Sequence, residues 1–113
     1  MRASRSLDQT LAALADPTRR AVVHLLRKKP RRAGEIAEKL AMSPPAMSRH
    51  LRVLRKTGLI EEDEPEHDAR VRIYRLRREP FTELREWLED VEAFWAVQLE
   101  SFKTQVERRS RGG

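Results

Sequence analysis

No cysteine occurs in the 113-residue sequence, which excludes disulfides and thiolate metal sites and is compatible with a reducing cytoplasm, the expected location. The four glycines are too few to build a phosphate-cradling loop, and no nucleophile elbow or zincin motif is present. Aromatic residues make up 5%, so the core of what is one domain in length must rest on Leu, Val, Ile and Ala. No apolar run exceeds a few residues. A transmembrane helix and a signal-peptide core are therefore not expected, and the opening MRASRS is too brief for a targeting segment. The histidines are equally thin: His24 falls in a buried-looking helix, His50 in a basic one and His67 in an acidic loop. Ser48 and His50 are two apart on a helix and do not face each other. Nothing organises a base or nucleophile, so an enzyme is not expected, nor is a cofactor.

The most informative absence is of one sign of charge in one place. Overall the chain carries +6 with a pI near 10.5, which suits an anionic partner, either nucleic acid or an anionic surface. From Lys39 to Ile60 there is no carboxylate, while Arg49, Arg52, Arg55 and Lys56 crowd together. Residues 33–58 read as two short helices broken by a tight turn. Ala33, Ile36, Ala37 and Leu40 share one helical face. Ser43 can cap the second helix, Pro44 suits its first turn, and Gly58 can take the left-handed position beyond its end. Met47, Leu51 and Leu54 form its inward stripe, which turns Pro45, Ser48, Arg49, Arg52 and Lys56 outward. Short polar groups and cations without acids are the surface a phosphate backbone requires, since each neutralised phosphate releases counterions.

Before this unit, Leu7, Leu11 and Leu14 mark a first amphipathic helix, too small to bury its stripe alone. Asp16-Pro17-Thr18 caps and opens a second helix, whose Ala21, Val22, Leu25 and Leu26 belong to the core. The basic connector Lys28-Lys29-Pro30-Arg31-Arg32 follows, either a solvated loop with cations at a helix C-terminus or a phosphate contact. After the helix pair, residues 59–63 and the alternating run 69–76 form a two-stranded hairpin. Arg70 and Arg72 share a face of it, placed to reach phosphate or a minor groove, although six carboxylates between Glu61 and Asp68 must turn aside or pair with them. Residues 81–108 contain neither proline nor glycine, and Phe81, Leu84, Leu88, Val91, Trp95, Leu99, Phe102 and Val106 recur every three or four positions. That is a helix of roughly 40 Å. Trp87 and Phe94 widen its stripe beyond what one small domain covers, so it pairs with a second chain. Residues 109–113 read as a disordered tail after a single domain at 1–108.

LADPTRRAVVHLLRKKPRRAGEIAEKL, then MSRHLRVLRKTGLI, then ARVRIYRL, in that order and spacing, resemble the arsenical-resistance-repressor (ArsR) family of winged helix-turn-helix regulators over nearly the whole chain. The resemblance implies a mostly α fold with a small β-hairpin (α+β): five helices, a two-stranded wing and a long C-terminal helix, assembled as a homodimer. It also implies sequence-specific binding of double-stranded DNA at an inverted-repeat operator, with repression of transcription as the expected role. The family's cysteine-bearing metal site aligns with Arg31-Arg32-Ala33-Gly34, and its other site needs histidine on the last helix, where none occurs. Metal is thus not expected, and the effector is left unidentified. Glu66, His67 and Asp68 are adjacent on a hairpin and fit a solvated loop better than a site. The family often has glycine before the wing arginine, where this chain has Ala69.

The expected DNA-binding residues are Ser43, Pro45, Ala46, Ser48, Arg49, His50, Arg52, Lys56, Arg70 and Arg72. Arg49 and Arg52 are candidates for guanine or phosphate, Ser48 for a base edge or phosphate, and Pro45 and Ala46 for a thymine methyl. His50 lies in the family's RHL triplet, but half-buried packing beside Leu51 and Leu54 is as good a reading. The expected dimer residues are Leu7, Leu11, Leu14, Phe81, Leu84, Leu88, Val91, Trp95, Leu99 and Phe102. Two rivals keep the same fold: an interaction module whose basic face holds an acidic protein or surface, and a metal-responsive repressor with an unrecognised site.

Overall fold

The structure, a computed structural model, describes residues 5–63 and 72–112. Along the chain run α1 (Arg5–Leu14), α2 (Pro17–Leu26), β1 (Arg31–Arg32), α3 (Ala33–Lys39), α4 (Pro44–Lys56), β2 (Ile60–Asp63), β3 (Ile73–Leu76) and α5 (Arg78–Gly112). The chain divides into two units, Met1–Phe81 and Thr82–Gly113.

Local chemistry sets the helix ends of the first unit. Asp16 accepts a hydrogen bond from the Arg19 amide at 2.9 Å, and Pro17 opens α2. Ser43 does the same for α4 through the Ala46 amide at 3.3 Å, with Pro44 in the first turn. The C-termini of α3 and α4 close in one pattern. The amide of Met42 donates to Ala37 and that of Ala41 to Glu38, just as Leu59 donates to Leu54 and Gly58 to Arg55. Such a closure puts the residue after the cap at positive φ. Gly58 accepts this at 82° without strain, whereas Ala41 is held at 51°, where its Cβ crowds the backbone. α1 has no basic residue in its last turn, and α2 supplies the cations instead. Arg19 Nε donates to the Ala13 carbonyl at 2.7 Å and Arg20 Nη1 to that of Leu14 at 2.8 Å, so two arginines of α2 close a neighbouring helix.

The core is Ala13, Val22, Leu26, Ile36, Ala37, Met47, Leu51, Leu54, Leu59, Ile60 and Tyr74. It joins α2, α3 and α4 to one sheet, and so fixes the direction in which the outer side of α4 points. The sheet has three antiparallel strands in the order β1-β3-β2, one more than the expected hairpin. β1 pairs Arg31 with Tyr74 and Arg32 with Ile73, and β2 pairs Ile60 with Leu76 and Glu62 with Tyr74. A two-residue strand carries no period, and β1 exists only because β3 offers it a free edge.

In α1, Leu7 is buried, Leu14 is half-buried and Leu11 is exposed; Thr10 takes the inner position, with its hydroxyl donating to the Ser6 carbonyl. His24, expected to be buried, is exposed. Phe81, expected at a dimer contact, packs on the first unit's own core. α5 begins before Phe81 and continues to Gly112, through most of the residues read as a tail. Its 35 residues span roughly 50 Å at the usual rise. Its large apolar side chains, from Trp87 to Val106, are 38–66% exposed in the single chain.

Candidate nucleic-acid interface

α4 is anchored by Met47, Leu51 and Leu54, none more than 2% exposed, so its other side is presented without freedom to roll. That side carries Ser43, Pro45, Ser48, Arg49, Arg52 and Lys56, all exposed, with Ala46 half-buried at its margin. Among the described residues Arg49, Arg52 and Lys56 have no hydrogen-bond or ion-pair partner, so these cations face water and can meet an anion without first breaking a bond. Arg52 also lines a cleft beside Ser48, Leu51, Arg55, Arg72 and Tyr74.

His50 stands at the edge of the face, half-buried, with Nδ1 3.7 Å from the Asp16 carboxylate. The packing reading fits this placement: the ring leans on the N-cap of α2. The Asp16 carboxyl lies below its ordinary range, first because the Arg19 amide donates to its charged form, and His50 adds to that when protonated.

α4 contains no acid, yet acids from elsewhere reach it. Arg55 Nη1 donates to Glu62 Oε2 at 2.7 Å, and the other oxygen of Glu62 lies 3.4 Å from Arg72 Nε. On the far side of the hairpin Arg75 Nη2 donates to Asp63 at 2.6 Å. Part of the acidic run is therefore paired with wing arginines. Exposed pairs of this kind contribute only about 0–1 kcal/mol each, so their consequence is orientation and not stability. Arg70, Ala69 and His67 lie outside the described residues. Among those described, no group of three His, Asp or Glu side chains could hold a metal ion, and no helix is long and apolar enough to cross a membrane.

The connector divides. Lys28, Lys29 and Arg32 are exposed, but Arg31, read as a possible phosphate contact, is 8% exposed. Its Nη1 donates to Glu35 at 2.7 Å and its Nε to the Leu25 carbonyl, and the guanidinium holds the Glu35 carboxyl below its usual range. Arg31 is thus structural. Sequence reasoning allowed the acidic run to pair with Arg72, as Glu62 does, but passed over the Arg31–Glu35 pair and the reach of Glu62 to Arg55. The first leaves a signal, Arg and Glu four apart across a helix start, whereas the second leaves none because the hairpin register creates it.

A family model described as "Bacterial regulatory protein, arsR family" matches residues 16–62, which hold α2, α3, α4 and most of β2. The HTH-type transcriptional regulator Rv2034 of Mycobacterium tuberculosis is 39% identical over 103 residues, covering 91% of both chains. The transcriptional repressor SdpR of Bacillus subtilis is 36% identical over 56 residues, half of this chain and 62% of that one. An ArsR-like transcriptional regulator from Rhodococcus sp. RHA1 superposes with a TM-score of 0.72 at 27% identity, over 88% of this chain and 91% of that one.

Proposed function

This chain belongs to the ArsR family of bacterial regulatory proteins and is a DNA-binding transcriptional regulator, not an enzyme; from that premise we propose that it represses transcription as a homodimer bound to an inverted-repeat operator. The outward face of α4 carries the reading: three cations without partners among the described residues and short polar groups, on a helix whose opposite stripe is locked in the core. In the proposed complex the N-terminal part of α4 lies in the major groove. Arg49 and Arg52 meet guanine or phosphate, Ser48 a base edge or phosphate, and Pro45 with Ala46 a thymine methyl. Ser43, through its cap, fixes the entry angle, and Lys56 and Arg72 flank the groove. Arg70 of the wing belongs to the same proposal.

The second copy joins along α5, through Leu84, Leu88, Val91, Trp95, Leu99 and Phe102, with the exposed Leu11 of α1 completing the contact, while Leu7 and Leu14 serve their own subunit. So much exposed apolar surface on one helix is the support for this. Repression is supported by the likeness to the transcriptional repressor SdpR, which covers half of this chain. Selection of preferred sites from a random duplex pool tests the whole reading. We expect two half-sites in inverted order, with centres about 10–10.5 base pairs apart or a multiple of that. Enrichment of a single unpaired motif would remove the symmetric dimer, and no enrichment would remove base reading by α4. Transcription from a promoter overlapping the selected site should fall when the protein is added; a rise would overturn repression.

A further inference from the structure

The cleft between α4 and the sheet has a volume of about 170 Å3 and is concave and polar. Ser48, Arg52 and Arg55 line it from the helix, and Arg72 and Tyr74 from the strand side. Two of these arginines share a carboxylate: Glu62, its side chain 17% exposed, holds Arg55 and Arg72, whose side chains are 57% and 58% exposed. A guanidinium has five N–H donors in a planar fork. Glu62 engages Arg55 through Nη1 and Arg72 through Nε, and among the described residues neither guanidinium has another partner. Both forks therefore keep donors that the shared carboxylate does not occupy. Among the described residues three guanidiniums stand against one carboxylate, which leaves an excess of positive charge at the cleft. Two like charges converging on one place are a poor arrangement for an empty surface and a good one for a tetrahedral anion.

We propose that this cleft seats one phosphodiester of the duplex backbone, gripped by Arg55 and Arg72, with Glu62 as the positioning residue that holds the two guanidiniums side by side. The inference rests on α4 lying in the major groove, because only then does a backbone strand pass between α4 and the wing. Arg55 thereby becomes a contact residue and Arg72 a phosphate contact. Glu62, an acid on a DNA-facing element, becomes an aid to binding instead of an obstacle.

The test uses the full chain and a selected operator in which single linkages are replaced by neutral methylphosphonates. In wild type one linkage per half-site should, when neutralised, weaken binding roughly tenfold, the scale of a charge-assisted hydrogen bond. In Arg55→Ala or Arg72→Ala the same replacement should weaken binding only about threefold, because one of its two partners is already gone, and in the double variant less than twofold. Each arginine variant should also lose about one unit of salt slope per subunit, equally on operator and random duplex. Glu62→Gln should shrink the drop at that linkage alone; a merely structural Glu62 would change overall affinity and leave that drop at the wild-type value. If operator binding persists and neither arginine variant masks any linkage, the seat is overturned while the major-groove reading stands. If no duplex is selected at all, that reading fails first and takes this one with it. Masking in both arginine variants with the wild-type drop retained in Glu62→Gln would keep the seat and remove the positioning role.

Discussion

Helices α4 and α5 both repeat apolar residues every three or four positions, yet one chain covers the first stripe and leaves the second bare. Met47, Leu51 and Leu54 are at most 2% exposed, whereas Leu88, Trp95, Leu99 and Phe102 are each more than half exposed. Their polar sides differ as well. α4 turns out cations and no acids, while α5 interleaves both signs, with Arg85 3.6 Å from Glu89 one turn on. Period alone says which side is apolar but not what covers it. The charge of the other side is the better guide to the partner: uniform cations suit a polyanion, and a mixed surface around bare apolar residues suits a second protein subunit.

The sharpest way to break this contrast is to damage each stripe in turn. Leu54→Ala should cost about 2–5 kcal/mol of stability, read by denaturant unfolding, because the cavity forms in the centre of the first unit's core. A loss below about 1 kcal/mol would mean α4 is not the keystone of that core. Trp95→Glu should leave the helical signal in place while weakening self-association at least about thirtyfold, the effect of losing a central aromatic anchor. Sedimentation identical to wild type at every concentration would show that the bare stripe of α5 is not the interface. Arg52→Ala should weaken operator binding by about 1–3 kcal/mol if it reads a base, or lower binding to all duplexes evenly if it touches phosphate. Unchanged affinity would take Arg52 out of the interface.

Two smaller effects sharpen the picture of the first unit. Ala41→Gly should stabilise it by about 0.5–1 kcal/mol, by relieving the positive φ that Gly58 accepts at the equivalent place after α4. The gain should be independent of protein concentration; a loss would show that the Ala41 methyl packs usefully. Asp16 and Glu35 have carboxyls held below their ordinary values of 3.8 and 4.5, by the Arg19 amide and the Arg31 guanidinium respectively. A depressed acid contributes stability above its unfolded pKa and loses it as pH falls through the folded value. Unfolding scans should therefore show the first unit weakening below about pH 4.5. Asp16→Asn, which keeps a capping oxygen, should flatten part of that limb, and an unaltered limb would assign it to other carboxylates.

Most of the first unit was legible without coordinates, because its signals are local. Caps at Asp16 and Ser43, prolines at 17 and 44, the glycine at 58 and the stripe of α4 act within a turn or two of chain, where residue type and spacing carry the physics. Positions whose role depends on distant neighbours were not legible. Leu11 and Thr10 exchanged the places that a leucine count assigned them, since burial depends on which side of α1 meets α2. Phe81 joined the core nearest it.

Sequence alone thus determined the family, the helix-turn-helix, the acid-free face of α4 and the long apolar period of α5, all properties of residues close together along the chain. Tertiary structure decided that Arg31 is sealed against Glu35, that β1 adds a third strand, and that Glu62 meets both Arg55 and Arg72. Those contacts join residues through strand pairing and packing, and a charge count cannot foresee which cation an acid will neutralise until the fold has brought the two within reach.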